Sequence, residues 1–322
     1  MRSGVFSRLT ERAFRIVEGP LNLRWSLTSR RCSLDVSGNF LLFADPRGGS
    51  TWLAETLQAG LDLELLWEPL QPRLVPQWGV LGFGWRQYIP QEAVWPEARD
   101  TFERLLGGRL LNRHICRYTT PERLLAAECV LMKFCRGNAL LPWLTKQFPF
   151  THAPILLLRH PFAVVASQMK HGNWDRVSTY RFDPNAPFSG RERRHAEFLG
   201  TLRTRAELLT ASWCLANSVV LEQPPNARPW ITVFYEELIQ EPEVELARIF
   251  ERWDMKLPNR VLEAVRRPSS MTKDSSALHD PRSQVSKWQR QIPKARWPDL
   301  LAILEHFGVD VYSDSPMPHG RR

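Results

Sequence analysis

Arg47-Gly48-Gly49-Ser50-Thr51 is the stretch of this chain best equipped to hold an oxyanion. Two glycines let backbone N–H groups approach a ligand without a Cβ in the way. Ser50 and Thr51 add hydroxyl donors, and Arg47 adds a planar cation that matches phosphate or sulfate. Ahead of the loop, Phe40 to Ala44 reads as a short buried strand. Behind it, Trp52, Leu53, Thr56 and Leu57 follow at helical spacing. The loop therefore opens onto a helix N-terminus, where unpaired N–H groups and the helix dipole favour negative charge. An ordinary turn with a surface arginine is the alternative. No Lys follows Gly49, so this is not G-x-x-x-x-G-K-[ST], and it is not G-x-G-x-x-G either.

Other chemistry-bearing residues also stand at predicted strand ends. Ile155 to Leu158 reads as a buried strand closed by Arg159, and Pro161 opens a helix. In that helix Phe162, Val165, Ala166 and Met169 fall at i, i+3, i+4 and i+7, and Ser167 lies on the second turn. Leu63, Leu65 and Leu66 suggest a strand ending at Glu68, which is either a surface residue before proline or a site carboxylate. Cys129 to Phe134 ends near Lys133, and Trp230 to Phe234 runs into Tyr235. Helices are expected on both sides of Gly107-Gly108, over Leu140 to Phe148, Glu197 to Gln223 and Leu300 to Phe307, and after Pro242. Strands alternating with helices predict an α/β fold, a mainly parallel sheet of about five strands flanked by helices. Arg47, Glu68, Lys133, Arg159 and Tyr235 then share the C-terminal edge of that sheet, where open α/β sheets bind ligands.

Pro46-Arg47-Gly48-Gly49-Ser50-Thr51-Trp52-Leu53 resembles the 5′-phosphosulfate loop of sulfotransferases that use 3′-phosphoadenosine 5′-phosphosulfate (PAPS). The family pattern is roughly P-[KR]-[SG]-G-[ST]-[ST]-[WF]-[LV]. An apolar strand, Arg159-His160-Pro161 and then Ser167 resemble the family's 3′-phosphate site, although many members carry Asp where this chain has His160. Trp67-Glu68-Pro69, Phe234-Tyr235-Glu236-Glu237-Leu238 and Ser286-Lys287-Trp288 are similar to further family segments. The last resembles a stretch of tyrosylprotein and related sulfotransferases. The resemblance spans roughly 38–310 and is loose between its two strongest motifs.

This likeness implies a P-loop-like fold that moves a sulfuryl group from PAPS to a hydroxyl or amine on a glycan or small molecule. Adenosine 3′,5′-bisphosphate would leave, and no metal is implied. Arg47 would stand beside the transferring group, with Gly48, Gly49, Ser50 and Thr51 around the 5′-phosphate. Trp52 and Tyr235 would lie near adenine, Arg159 and Ser167 on the 3′-phosphate, and Ser286, Lys287 and Trp288 over the nucleotide. Lys133 would join Arg47 in stabilising the leaving oxygen. Glu68 would take the acceptor's proton; should it not, the residues themselves leave His171, His195 or the arginine-rich stretch between them as the base. A P-loop-type kinase or NTPase is the alternative, one that should show the missing loop lysine and a metal carboxylate.

Composition agrees with an anionic partner. The 322 residues carry a net charge of +9, with 43% hydrophobic content. Such a charge suits nucleotides and sulfated or phosphorylated ligands. No helix-turn-helix, RNA-binding aromatic motif or zinc spacing points to nucleic acid. Five scattered cysteines without a C-x-x-C pair suggest reduced thiols. With neither a signal peptide nor a span of ~20 apolar residues, a cytoplasmic protein is expected. Residues 1–37 read as a basic lead-in and 38–315 as a single domain. Trp78, Trp85 and Trp95 fall in a long aromatic segment, where they would stack on sugar or pack a small core. The arginine-rich stretch 173–195 reads as a solvated loop or a lid.

Overall fold

A computed structural model describes residues 22–171, 185–270 and 281–319. Five strands form its sheet: β1 (Phe40–Ala44), β2 (Glu64–Trp67), β3 (Val130–Phe134), β4 (Ile155–Leu158) and β5 (Ile231–Phe234). Their order is β2-β3-β1-β4-β5, and every pair is parallel. The register sets Leu42 beside both Lys133 and Ile155, and Trp67 beside Lys133. Strand side chains alternate between faces, and here both faces are buried. Leu41, Phe43, Met132, Phe134, Leu156 and Leu158 enter one core. Phe40, Leu42, Ala44, Leu65, Trp67, Leu131, Ile155 and Leu157 enter the other. Continuous apolar runs are what strands covered on two sides require.

Helices α1 (Ser50–Leu61), α2 (Pro96–Leu106), α3 (Leu141–Gln147), α4 (Pro161–His171), α5 (Arg205–Leu221), α6 (Tyr235–Gln240), α7 (Pro242–Arg252), α8 (Asn259–Val265) and α9 (Trp297–His306) supply the layers. Helix α1 packs on the second core with α7 and α8. Helices α2, α3, α4, α5 and α9 pack on the first. A Cβ on Gly60 would collide with Val261, so this glycine lets α1 and α8 approach closely. The chain leaves β1 toward β2 and later passes β1 to reach β4 and β5. The helices after β1 and β4 consequently cover opposite faces, leaving a crevice between the two strand ends.

Several expectations need correction. The stretch Glu197 to Gln223 is two helices, Ala196–Thr201 and α5. Thr204 and Glu207 form a capping box that starts α5 afresh, the T-x-x-E signal of a helix start. Beyond Gly107-Gly108 the chain makes turns before a short helix, Pro121–Ala126. Trp78 is fully buried against Phe83 and Phe102, so it packs a core. Arg191, in the stretch read as a lid or solvated loop, is buried and donates to Ser218 Oγ at 2.6 Å and Glu222 at 2.9 Å. Arg176 and Arg181 lie outside the described residues. So does most of the expected lead-in; within it Trp25, Cys32 and Leu34 join the first core.

Candidate active site

The loop after β1 leaves the sheet through Asp45 and turns at Arg47, whose φ of 73° is left-handed. Gly49 follows at φ 94° as the N-cap of α1, with no side chain capping it. A Cβ there would also run into the Tyr235 ring. The first N–H groups of α1 consequently point from an uncapped end, the arrangement that receives anions. Ser50 is buried with its hydroxyl 3.5 Å from the Cys135 sulfur, and Thr51 is half-buried. Gln168 of α4 donates to the Pro46 carbonyl at 3.0 Å, fixing the loop to the far side of the crevice.

Arg159, at the end of β4, closes that crevice. Its Nη1 donates to the Arg47 carbonyl at 3.1 Å, and its guanidinium lies 4.4 Å from the Tyr235 ring centre. Arg47 Nε donates to Ser167 Oγ at 3.1 Å. Burial, and then the charge of Arg159, press the Arg47 pKa below its ordinary value. Two guanidiniums this close favour an anion between them. The buried Nε of Arg159 has no hydrogen-bond partner, so the donor set fits a phosphate. Beneath Arg159 the buried Glu236 accepts from the His160 N–H at 2.8 Å and from the Tyr312 hydroxyl at 3.0 Å.

Glu68 and Lys133 meet beside the loop, at the ends of β2 and β3. Lys133 is 1% exposed, and its ammonium lies 3.0 Å from Glu68 Oε1 and 3.4 Å from the Trp67 ring centre. Arg136 reaches Glu68 Oε2 at 3.1 Å. Burial works against ionising Glu68, but Lys133 and Arg136 outweigh it and hold the pKa at about 2. Glu68 has φ 41°, a conformation an L-residue keeps only when its surroundings fix it. Its N–H donates to the Lys133 carbonyl at 2.9 Å, and its carbonyl faces His114 Nε2 at 3.2 Å.

Trp52 is 8% exposed, and its Nε1 lies 3.2 Å from the carbonyls of Val265 and Arg267. Its ring meets Tyr235 edge-on at 6.3 Å. Trp288 is buried and stacks on His160 at 4.5 Å, while Ser286 and Lys287 are half-buried beside it. His171 and His195 belong to α4 and the region before α5. His195 faces His306 at 3.0 Å.

Asp45, Arg136 and His114 are the additions that sequence reasoning missed. Asp45 is buried, pairs with Arg86 and accepts from Asn217 at 2.5 Å and Asn138 at 3.3 Å. Arg136 lies three residues after Lys133, beyond the end of β3 and outside the strand-end pattern. No motif marked His114. A carbonyl only accepts, so Nε2 carries the ring hydrogen and Nδ1 keeps the lone pair; burial lowers this imidazole's pKa. A cavity of about 1260 Å³ lies against the free edge of β5, lined by Trp230, Thr232 and Arg248 among others and by none of the loop residues.

Three solved structures similar to this chain are sulfotransferases. One is the sulfotransferase domain from the curacin biosynthetic pathway, at 16% identity and TM-score 0.46, covering 84% of this chain and 97% of that one. Another is the sulfotransferase domain of the Synechococcus PCC 7002 olefin synthase, at 19% identity and TM-score 0.43, covering 87% and 97%. A third is mouse sulfotransferase SULT7A1 complexed with PAP, at 12% identity and TM-score 0.44, covering 88% of each chain. No family model matches the chain, and a search of curated proteins finds no match either.

Proposed function

We propose that the chain is a sulfotransferase that moves a sulfuryl group from PAPS to an acceptor hydroxyl. The observation carrying this reading is the junction of Arg47, Arg159 with Ser167, and Tyr235, three stretches far apart in sequence, around one uncapped helix N-terminus. Arg159 and Ser167 would hold the 3′-phosphate. The N–H groups of the Gly48–Thr51 loop, with the Ser50 and Thr51 hydroxyls, would hold the 5′-phosphate. Tyr235 and the edge of Trp52 would border adenine, with Ser286, Lys287 and Trp288 closing over the nucleotide from the His160 side. When bound, PAPS supplies an activated sulfuryl group on a good leaving group. Arg47 and Lys133 place positive charge where the leaving oxygen gains negative charge. Glu68 receives the acceptor's proton. Lys133 leaning toward the nucleotide would free Oε1 and relieve the charge that holds the carboxyl so acidic, while Arg136 keeps Oε2 fixed.

A kinase or NTPase is not favoured, because Ser50 stands where the Walker loop needs a lysine. Thermal melting tests the choice. Adenosine 3′,5′-bisphosphate should raise the melting temperature, while AMP at the same concentration should not. Arg159→Ala should remove the difference. Equal stabilisation by ATP with Mg²⁺ would support the kinase instead.

A further inference from the structure

Lys133 and Arg136 hold one carboxylate between them, with side chains only 1% and 11% exposed. Two shielded cations on one anion leave positive charge that a ligand can satisfy, because a buried charge without a counterion is costly. From this pair the charge continues outward. The Arg136 guanidinium lies 4.2 Å from the Trp85 ring centre, and Arg73 approaches the same ring at 5.5 Å. Trp85 is 46% exposed, and Arg73 is exposed. Arg136 Nε is buried with no partner. Among the described residues, Arg73 pairs with no carboxylate. The series Lys133, Glu68, Arg136, Trp85, Arg73 is thus a cationic track with one aromatic surface, running from the sheet edge to solvent.

We propose that the acceptor is itself an anion: a hydroxyl compound bearing a carboxylate, sulfate or phosphate. It lies against Trp85 with its charge toward Arg73 and Arg136 and its hydroxyl toward Glu68. The proposal rests on the sulfotransferase reading of this same edge. In the transfer, the acceptor oxygen forms a new O–S bond and gives its proton to Glu68. The bond from sulfur to the 5′-phosphate oxygen breaks, and its electron pair leaves with the bisphosphate. Protonation removes the counterion of Arg136 at that moment, and a fixed negative charge on the acceptor replaces it.

Calorimetric titration of the protein saturated with adenosine 3′,5′-bisphosphate tests this directly. The probes are 4-nitrophenyl β-glucuronide and 4-nitrophenyl β-glucoside, which differ by a carboxylate in place of a hydroxymethyl group. The glucuronide should bind about ten-fold more tightly, the scale of one charge-assisted hydrogen bond. Arg73→Glu should abolish that preference and leave bisphosphate affinity unchanged, and Trp85→Ala should weaken binding of the glucuronide. Equal affinities, no measurable glucuronide binding, or a preference that survives Arg73→Glu would each overturn the proposal. If the bisphosphate fails to bind, the sulfotransferase reading falls, and this proposal falls with it; normal bisphosphate binding with no acid preference removes only the acceptor class.

Discussion

Glu68 is held from both sides: Lys133 takes Oε1, Arg136 takes Oε2, and its backbone is bent into a left-handed turn. Glu68→Gln keeps the shape and removes the basicity. Sulfuryl turnover should then fall by about 10²–10⁴, with bisphosphate affinity intact, as single-turnover kinetics beside calorimetry would show. Near-normal turnover would move the base to His114, whose Nε2 faces the same turn and whose Nδ1 keeps the lone pair, or to His171 or His195. Loss of nucleotide binding would make Glu68 a structural anchor. Trp52 poses a similar choice. Removing a stacking partner costs about 1–3 kcal/mol of nucleotide affinity. If Trp52→Ala only lowers the melting temperature, the indole serves the core and its bonds to the Val265 and Arg267 carbonyls.

Helix starts and strand ends carry predictions at the next scale. Thr204 caps α5, so Thr204→Ala should cost about 1 kcal/mol in denaturant unfolding. The turn from β4 into α4 depends on two buried groups that titrate in opposite senses. Burial raises Glu236 to about 7 and lowers His160 to about 3. From pH 4.5 to 7 the folded state keeps a proton on Glu236 that the unfolded chain loses, so this group makes stability fall as pH rises. From pH 3 to 6.5 the unfolded chain protonates a histidine that stays neutral when folded, so His160 makes stability rise with pH. The two oppose each other between 4.5 and 6.5. Glu236→Gln should expose the His160 contribution: its melting temperature should drop more steeply than that of the wild type as pH falls from 6.5 to 4.5. Parallel pH profiles for the two proteins would refute this account.

At the scale of the molecule, the strand order brings four distant segments to one edge, and Asp45 ties them there. The buried Asp45 joins the loop after β1 to Arg86 of the aromatic segment, Asn138 before α3 and Asn217 of α5. Asp45→Ala would leave the Arg86 guanidinium, 15% exposed, without its counterion. Breaking such a pair costs about 3–5 kcal/mol. Urea unfolding should show that loss, and Asp45→Ala with Arg86→Met should recover part of it. No recovery would mean that the asparagine contacts, not the ion pair, carry the tie.

Strands β1 and β4 were legible in the chain because each is a short apolar run ended by a chemically distinct residue. The sheet edge shared by Arg47, Glu68, Lys133, Arg159 and Tyr235 was legible for the same reason: each lies at or just beyond the end of such a run. Local order of this kind follows from hydrophobic pattern and turn chemistry, which act over a few residues and are written in the sequence. The split at Thr204 was also written there, in a capping box that the longer apolar pattern obscured. Whether a tryptophan packs or faces a ligand was not written: Trp78 is core and Trp85 lies half in solvent, although both come from one aromatic stretch. Nor was the placement of Arg136, His114 or Asp45, whose partners lie 41 to 172 residues away. Such pairings depend on which strand lies beside which. The pairing of β2 with β3 brings Lys133 and Arg136 onto one carboxylate, because charges interact through space and the chain's own numbering does not record that distance.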